Sequence, residues 1–232
     1  MPSQFVSCLP ARLFPALACA ALLFAATAPA HAQFGAPPPG TQVKDASALK
    51  PPAGSRVAIV EFADLECPAC ASANPLVKEA VAKYKIPWVR HDFLIPSHAW
   101  SLSAAVNARW FDAKSPALGN EFRDQVFANQ PYIYNLGMLR EFTQKFAQSH
   151  SIALPPSIDP QSKLIAAVQS DNELGKRTGI RVTPTLFVVT AGGKGAPYIQ
   201  VQDPSQLDQV IAQALADTTP ARPAAVKKKS TK

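Results

Sequence analysis

A C-x-x-C motif, Cys67 to Cys70, comes three residues after a short apolar run at residues 57–63. The run has the composition of a buried strand, and the segment after the motif, through Tyr84, has helical composition. A cysteine at a helix N-terminus meets partial positive charge and unpaired N–H groups, which favour thiolate over thiol. Pro68 suits the first helical position, where no N–H donor is needed. The pattern predicts a redox-active dithiol at a strand–helix junction.

The N-terminus predicts export. Residues 1–32 contain one basic residue, Arg12, and no acidic residue, and they end in the small-x-small sequence A-H-A. The apolar stretch at 13–28 is interrupted by Pro15 and is short for a membrane span. We predict a secretory signal peptide over 1–32, cleaved after Ala32; the alternative is an uncleaved N-terminal anchor.

The cysteine count favours redox chemistry over a structural role. Cleavage would remove Cys8 and Cys19 and leave only Cys67 and Cys70. A disulfide between residues three apart closes a very small loop and stabilises little, and exported domains held by disulfides carry more cysteines at wider spacings. A zinc site would need a second ligand pair, which the sequence does not offer at the usual spacing.

Net charge is +7 for the whole chain and would be +6 after cleavage. Part of it lies in residues 218–232, which include Lys227–Lys229 and predict a basic disordered tail. The alternative for this tail is attachment to an anionic membrane surface or cell-wall polymer. No aromatic residues accompany these lysines, so we expect no nucleic-acid binding.

The rest of the chain has the pattern of an α/β protein with a helical insertion. Residues 33–53 are rich in Pro, Gly and Ala and predict a linker. Residues 54–96 and 180–217 together predict one domain, and 97–179, where aromatic residues recur at helical spacing, predict an inserted helical domain. The expected strands lie at about 56–63, 87–94, 185–190 and 198–201. The expected insertion helices begin at Ser97, Ser115, Asn135 and Asp159, and Gly179 ends the last one.

Two segments far apart in sequence carry a family resemblance. Residues 62–70 read F-A-D-L-E-C-P-A-C, and residues 181–185 read R-V-T-P-T. They resemble the active-site segment and the cis-proline loop of thioredoxin-fold thiol–disulfide oxidoreductases of the DsbA type, and the resemblance extends over about residues 54–217. Pro75, eight residues after Cys67, is similar to the kink proline of thioredoxins. The resemblance implies a thioredoxin-like fold with an all-helical insertion.

The resemblance also implies a role for each residue of the site. Cys67 would be the exposed nucleophile, and Cys70, more buried, would resolve the mixed disulfide. Pro184 would follow a cis peptide bond, and Thr183 would offer its backbone to a substrate strand. From the residues alone a cis X-Pro bond is uncommon, and the alternative is an ordinary proline at a strand start. The disulfide carries the two electrons, so we expect no cofactor and no metal.

Glu61 is a further candidate, because a carboxylate in an apolar strand is costly unless it is used or paired. Thioredoxin-like proteins commonly place a buried acid six residues before the first cysteine. We predict that Glu61 moves the proton of Cys70. The alternative is a structural ion pair with a lysine such as Lys83.

Four further ionisable residues lie near the motif in sequence or predicted fold. We expect Asp64 and Glu66 to be solvated loop acids; if they act on the thiol, their charge would make Cys67 less acidic. His91 and His98 could approach the site, but we expect ordinary surface or packing histidines.

The resemblance implies a periplasmic, monomeric oxidase that passes its disulfide to folding secreted proteins and is reoxidised by a DsbB-like membrane partner. Two departures from DsbA bear on redox poise: Ala69 stands where DsbA has histidine, and Thr183 precedes the proline, as in isomerases of the DsbC/DsbG type. The alternative is a reductase or isomerase kept reduced by a DsbD-like partner. Residues 33–53 are too few for the N-terminal dimerisation domain of those isomerases.

Functions of other classes are also open. Two thiols can hold a soft metal, so one alternative is a Cu(I)-binding carrier. Such carriers usually add a nearby histidine or methionine, and Met138, the one methionine after the predicted cleavage point, lies far from the motif in sequence. A non-catalytic chaperone is the other alternative, and it predicts no effect of Cys67→Ser.

Overall fold

A four-stranded mixed sheet frames the structure, a computed structural model that describes residues 42–218. The strands are β1 (Val57–Ala63), β2 (Trp88–Asp92), β3 (Thr185–Thr190) and β4 (Tyr198–Val201). Their order across the sheet is β2-β1-β3-β4, with β2 parallel to β1 and the other neighbouring pairs antiparallel. The two apolar runs that the sequence marks as buried strands therefore form the centre of the sheet.

Helices cover the sheet and form a block between β2 and β3. In the described part of the chain they are α1 (Pro68–Tyr84), α2 (Ser101–Asp112), α3 (Pro116–Asn129), α4 (Leu136–Ser149), α5 (Lys163–Thr178) and α6 (Leu207–Asp217). Helices α2 to α5 follow one another without an intervening strand. This is the predicted order of an α/β layer interrupted by a helical segment.

Side-chain caps and a glycine account for three helix ends that the sequence predicts correctly. The Ser115 hydroxyl accepts the Leu118 N–H at 3.1 Å at the start of α3. The Asn135 side chain accepts the Met138 N–H at 3.0 Å at the start of α4. Gly179 ends α5 with a φ of 99°, a left-handed conformation that glycine adopts without a Cβ clash.

Two predicted helix starts are wrong by a few residues. Helix α2 begins at Ser101 rather than Ser97, because the residues before it form turns that contact the cysteine-bearing loop. Helix α5 begins at Lys163 rather than Asp159. The Asp159 carboxylate accepts the Ile165 N–H at 2.9 Å from outside the helix, so it serves the helix start without belonging to it.

Three of the four apolar clusters in the described residues account for most of the packing between the sheet and the helices. One face of the sheet packs against α1 and α6, and the opposite face packs against α5 and the chain before β1, where Leu49 is 4 % exposed. The described part of the predicted linker therefore contributes to the core. A third layer lies among α2, α3 and α4, where Phe111, Phe122 and Phe146 pack ring against ring, and it extends to Cys67 and Cys70. The helical block thus contacts the dithiol directly.

Several predicted segments lie outside the described residues: the signal peptide over 1–32, the first part of the linker over 33–53, and the tail beyond residue 218. Between residues 42 and 218, the helices are all too short or too polar to cross a membrane.

Candidate active site

The two cysteines lie at the N-terminus of α1, immediately after the central strand. Cys67 is the N-cap residue, Pro68 is the first helical residue, and both cysteines are free thiols. Cys70 is fully buried and Cys67 is 8 % exposed. The expected order of burial is correct, but Cys67 is more covered than the predicted exposed nucleophile. Its neighbours Pro68 and Ala69 are exposed and mark the side from which a partner reaches the sulfur.

The two thiols have opposite acidities. The pKa of Cys67 is lowered to about 5, first by the hydrogen bond from the Cys70 thiol and then by the Thr183 side chain and the N–H groups of Cys70 and Ala69, against the effect of burial. The hydrogen bond to Cys67 and burial raise the pKa of Cys70. At neutral pH the pair therefore holds one thiolate and one thiol.

The loop before β3 forms the opposite wall of the site. The Thr183–Pro184 peptide bond is cis, in agreement with the resemblance. The Cys67 Sγ lies 3.4 Å from the Thr183 carbonyl oxygen, although the two residues are 116 positions apart in sequence. The Thr183 hydroxyl is buried, and among the described residues the Cys67 thiolate is the one group it is placed to bond. Val182, the residue before it, is 64 % exposed.

A groove of about 470 Å³ opens between this loop and the first turns of α1. Its walls include Ala69, Ser72, Leu76 and Pro184, and they are mostly apolar or small. Leu76 is 41 % exposed. A polypeptide that reaches Cys67 can therefore lay side chains along an uncharged wall.

Glu61 is buried in the sheet next to the dithiol, with 2 % of its surface exposed. The Trp88 Nε1–H donates to Glu61 Oε2 at 2.9 Å, and the Arg90 Nε lies 4.0 Å from the same oxygen. Burial raises the pKa of Glu61, and the Arg90 charge and the Trp88 hydrogen bond oppose that rise. The charge of Glu61 in turn raises the pKa of Cys70. The alternative pairing with Lys83 is wrong, because Lys83 pairs with Asp208 of α6.

Arg90 extends the polar environment of Glu61 toward the surface. Its guanidinium lies 3.4 Å above the Trp88 ring centroid and donates to Asn74 on α1 and Asn120 on α3. Trp88 and Arg90 were not recognised as site residues from the sequence. Their alternate positions predict that both lie on one face of β2. The contact with Glu61 depends on the parallel register of β1 and β2, which pairs Glu61 with Arg90.

Asp64 and Glu66 are not solvated loop acids, so that prediction is wrong. Asp64 is 1 % exposed and accepts three hydrogen bonds, from the N–H groups of Glu66 and Ile95 and from His98 Nδ1, at 2.8, 2.8 and 2.9 Å. Glu66 accepts the N–H groups of residues 99 and 100, at 3.1 and 2.6 Å, just before α2. Both carboxylates bind the cysteine loop to the start of the helical block.

Gln130 holds the same loop from another side. Its Nε2 donates to the carbonyl oxygens of Leu65 and Cys67 at 2.8 and 3.1 Å. Gln130 belongs to a 3₁₀ turn, Gln130–Tyr132, between α3 and α4. A glutamine in a loop sequence carries no signal of this contact, so the contact could not be predicted from the sequence.

His91 packs within the protein, as expected for a packing histidine, and His98 binds Asp64. The His91 ring stacks on Phe62 at 5.0 Å and its Nδ1 lies 3.0 Å from Asp171 of α5. Arg109 of α2 bridges Asp171 and Asp92 at 2.5 and 2.6 Å. These contacts join the helical block to the end of β2.

The chain belongs to the thioredoxin family, whose family model matches residues 53–212. No curated protein matches the chain. Solved structures with the same fold include BdbD from Bacillus subtilis in its oxidised form, at 17 % sequence identity and a TM-score of 0.58, covering 77 % of this chain and 97 % of that one. This family and fold confirm the predicted class, a thioredoxin-fold thiol–disulfide oxidoreductase.

Two further structures extend the comparison to DsbA-type proteins. Wolbachia pipientis α-DsbA1 has 17 % identity and a TM-score of 0.56, with 74 % of this chain and 90 % of that chain covered. Pseudomonas aeruginosa DsbA2 has 17 % identity and a TM-score of 0.51, with 78 % and 94 % covered. The predicted fold, α/β and thioredoxin-like with a helical insertion, is confirmed.

Proposed function

We propose that the protein is a periplasmic thiol–disulfide oxidase that donates a Cys67–Cys70 disulfide to folding exported proteins. The observation that supports this most is the split in acidity within the dithiol: the pKa of Cys67 is lowered to about 5 and that of Cys70 is raised. A stable thiolate stabilises the reduced form of the protein, and a stabilised reduced form makes the disulfide more oxidising. The signal-like sequence at 1–32 supports the periplasmic location.

The reaction follows from this split. In the oxidised protein a substrate thiolate attacks Sγ of Cys67, the Cys67–Cys70 bond breaks, and its electron pair goes to Cys70, which takes a proton. A second substrate thiolate then attacks the substrate sulfur of the mixed disulfide and expels Cys67 as a thiolate. The substrate loses two electrons and the protein gains them. Cys67 is the better leaving group in the second step because its pKa is low.

Neighbouring residues have separate roles in this proposal. Glu61, with its pKa raised by burial, gives the proton to Cys70 and takes it back when the disulfide forms again. The cis-proline loop positions the substrate backbone beside Cys67 through Thr183 and Pro184. We infer that a membrane partner resembling DsbB reoxidises the dithiol and that the protein acts as a monomer.

The reduction potential tests the direction of transfer. The protein is equilibrated with glutathione buffers of fixed ratio, and the fraction of reduced Cys67 and Cys70 is measured by mass after thiol alkylation. A potential of about −120 to −180 mV, as in strong oxidants and isomerases, supports a disulfide donor or isomerase. A scrambled-substrate assay then separates oxidase from isomerase. A potential near about −270 mV, as in thioredoxin, would establish a reductant instead.

A second assay addresses the alternatives of another class. Oxidation of a reduced substrate protein should be lost in Cys67→Ser, whereas a chaperone would retain its activity. Retention of Cu(I) through gel filtration, without disulfide transfer, would favour the metal carrier.

A further inference from the structure

A second cleft borders the cysteine loop. It shares no lining residue with the groove beside Ala69 and Pro184 described above, which we name the cis-proline groove. It has a volume of about 320 Å³. Its lining residues are Glu66, Pro68, Trp100, Gln130, Pro131, Ile133 and Tyr134. We name it the Tyr134 cleft, and none of the roles assigned above to a substrate uses it.

The lining of the Tyr134 cleft suits an apolar or aromatic side chain. Trp100 and Ile133 form buried walls, at 2 % and 4 % exposed, and Tyr134 stands at the edge with 72 % of its surface exposed. The one charged group, Glu66, is already bound by two backbone N–H groups. An exposed aromatic edge beside a mostly apolar hollow is a common feature of protein-binding surfaces.

The cleft has a fixed position relative to the nucleophile. Pro68, in its lining, is covalently joined to Cys67, and Gln130, also in its lining, donates to the Cys67 carbonyl oxygen at 3.1 Å. Cys67 therefore adjoins both clefts, since its neighbour Pro68 lines the Tyr134 cleft, and Ala69 and Pro184 line the cis-proline groove.

We propose that the Tyr134 cleft is a substrate subsite that takes an apolar or aromatic side chain near the reacting cysteine of an unfolded polypeptide. The proposal rests on the proposed function and makes it specific. Aromatic contacts of this kind are worth a factor of about two to ten in binding, so the subsite sets a preference among cysteines of a client without being needed for the chemistry.

Tyr132 supplies a matched control. It lies two residues from Tyr134, is 68 % exposed, and is not part of the cleft wall. Substituting either tyrosine by serine removes one exposed aromatic ring from the same loop. Tyr134→Ser removes an aromatic ring that lines the cleft, whereas Tyr132→Ser leaves the lining of the cleft unchanged.

The test follows the attack of reduced Cys67 on short peptides whose single cysteine carries a thionitrobenzoate leaving group. The Cys67 thiolate bonds to the peptide sulfur and coloured thionitrobenzoate leaves, so the rate is read from absorbance. Peptides carry tryptophan or serine two residues before or after the cysteine. Glutathione with the same leaving group is the small probe.

We expect wild type to react about three to ten times faster with tryptophan than with serine at one of the two positions. Tyr134→Ser should reduce that preference to less than about twofold, while Tyr132→Ser and Tyr134→Phe keep it. Equal loss in Tyr132→Ser and Tyr134→Ser would overturn the subsite, and so would the absence of any preference in wild type.

The glutathione probe separates this proposal from the proposed function. All the tyrosine variants should react with it at the wild-type rate, because it is too small to span the cleft. A wild-type rate toward this probe no faster than that of Cys67→Ser would contradict the proposed redox chemistry itself.

Discussion

Two buried carboxylates lie on the strand and loop before the cysteines, and their surroundings differ. Glu61 is 2 % exposed and Asp64 is 1 % exposed. Asp64 accepts three hydrogen bonds, from two backbone N–H groups and His98. Glu61 accepts one, from Trp88, with the Arg90 guanidinium 4.0 Å away. Equal burial therefore does not imply an equal role. Asp64, with three hydrogen-bond donors, holds a loop in place, and Glu61, with one donor, is suited to exchange a proton.

The largest expected effect is on stability at Asp64. In Asp64→Asn, an NH₂ group replaces one carboxylate oxygen. This group cannot accept a hydrogen bond and would face the N–H donors that now bond Asp64. We expect the free energy of unfolding to fall by about 2–4 kcal/mol, measured by urea titration. Glu61→Gln is the matched control and should lose less than about 1 kcal/mol, because the amide oxygen still accepts from Trp88. A larger loss in Glu61→Gln than in Asp64→Asn would reverse the comparison.

A kinetic effect is expected at Glu61. Glu61→Gln should slow the resolution of a mixed disulfide by Cys70 about tenfold to a hundredfold, because no group is left to take the proton of Cys70. The first attack by Cys67 should change little. Single-turnover quenched-flow experiments with a preformed mixed disulfide separate the two steps, and an unchanged resolution rate would exclude the proton-transfer role.

Trp88→Phe should produce a smaller change in the same step. Loss of the indole N–H removes a contact that lowers the pKa of Glu61, so that pKa should rise further. The pH profile of resolution should then move to higher pH, with a change of a few-fold at neutral pH. Trp110→Phe, on α2 and without contact to Glu61, is the control. A profile that moves equally in both variants would indicate a general packing effect.

The pH dependence of the reduction potential distinguishes Glu61 from the groups that act on Cys67. With the pKa of Cys67 lowered to about 5 and that of Cys70 raised, reduction takes up two protons below that pH and one above it. The reduction potential should therefore fall by about 59 mV per pH unit below about pH 5 and by about 30 mV per pH unit above it.

Thr183→Val should move this change of slope, the break, to higher pH, because the Thr183 hydroxyl lowers the pKa of Cys67. Glu61→Gln should leave it in place, and a displaced break in that variant would show that Glu61 acts on both thiols.

The same pKa gives the sign of a stability change in the reduced protein. A thiol whose pKa is lowered by folding contributes stability in full above its unfolded pKa and loses it as the pH falls through the folded value. The reduced protein should therefore lose stability relative to the oxidised protein as the pH falls toward about 5. Urea titrations of both redox states over this range measure the difference.

A smaller loss of stability than in Asp64→Asn is expected at His98, whose side chain is 20 % exposed and supplies one of the three donors to Asp64. His98→Ala should lower the free energy of unfolding by about 1 kcal/mol, since the two backbone donors remain. A loss equal to that of Asp64→Asn would mean that His98, rather than the backbone, holds the carboxylate.

The sequence by itself determined the main strands and helices and the two reactive cysteines, Cys67 and Cys70. Apolar runs, helix caps and the C-x-x-C motif are local signals, because hydrophobic period, capping and helix-terminus acidity depend on neighbours within a few residues. They were sufficient to place β1, α1 and the thiols of Cys67 and Cys70. The buried acid at Glu61 was also recognisable, because burying a carboxylate in an apolar strand is costly unless that carboxylate is paired or used.

Only the tertiary structure decided what surrounds these residues. The sequence led to the prediction that Asp64 is a solvated loop acid. Its three hydrogen-bond donors come from its own loop and from residues 95–98, and no local sequence pattern indicates those contacts. The strand register brings Trp88 into hydrogen-bond contact with Glu61. Gln130 donates to the Cys67 carbonyl oxygen, although the two residues are 63 positions apart in sequence. Such contacts depend on how distant segments pack, and packing is a property of the whole fold.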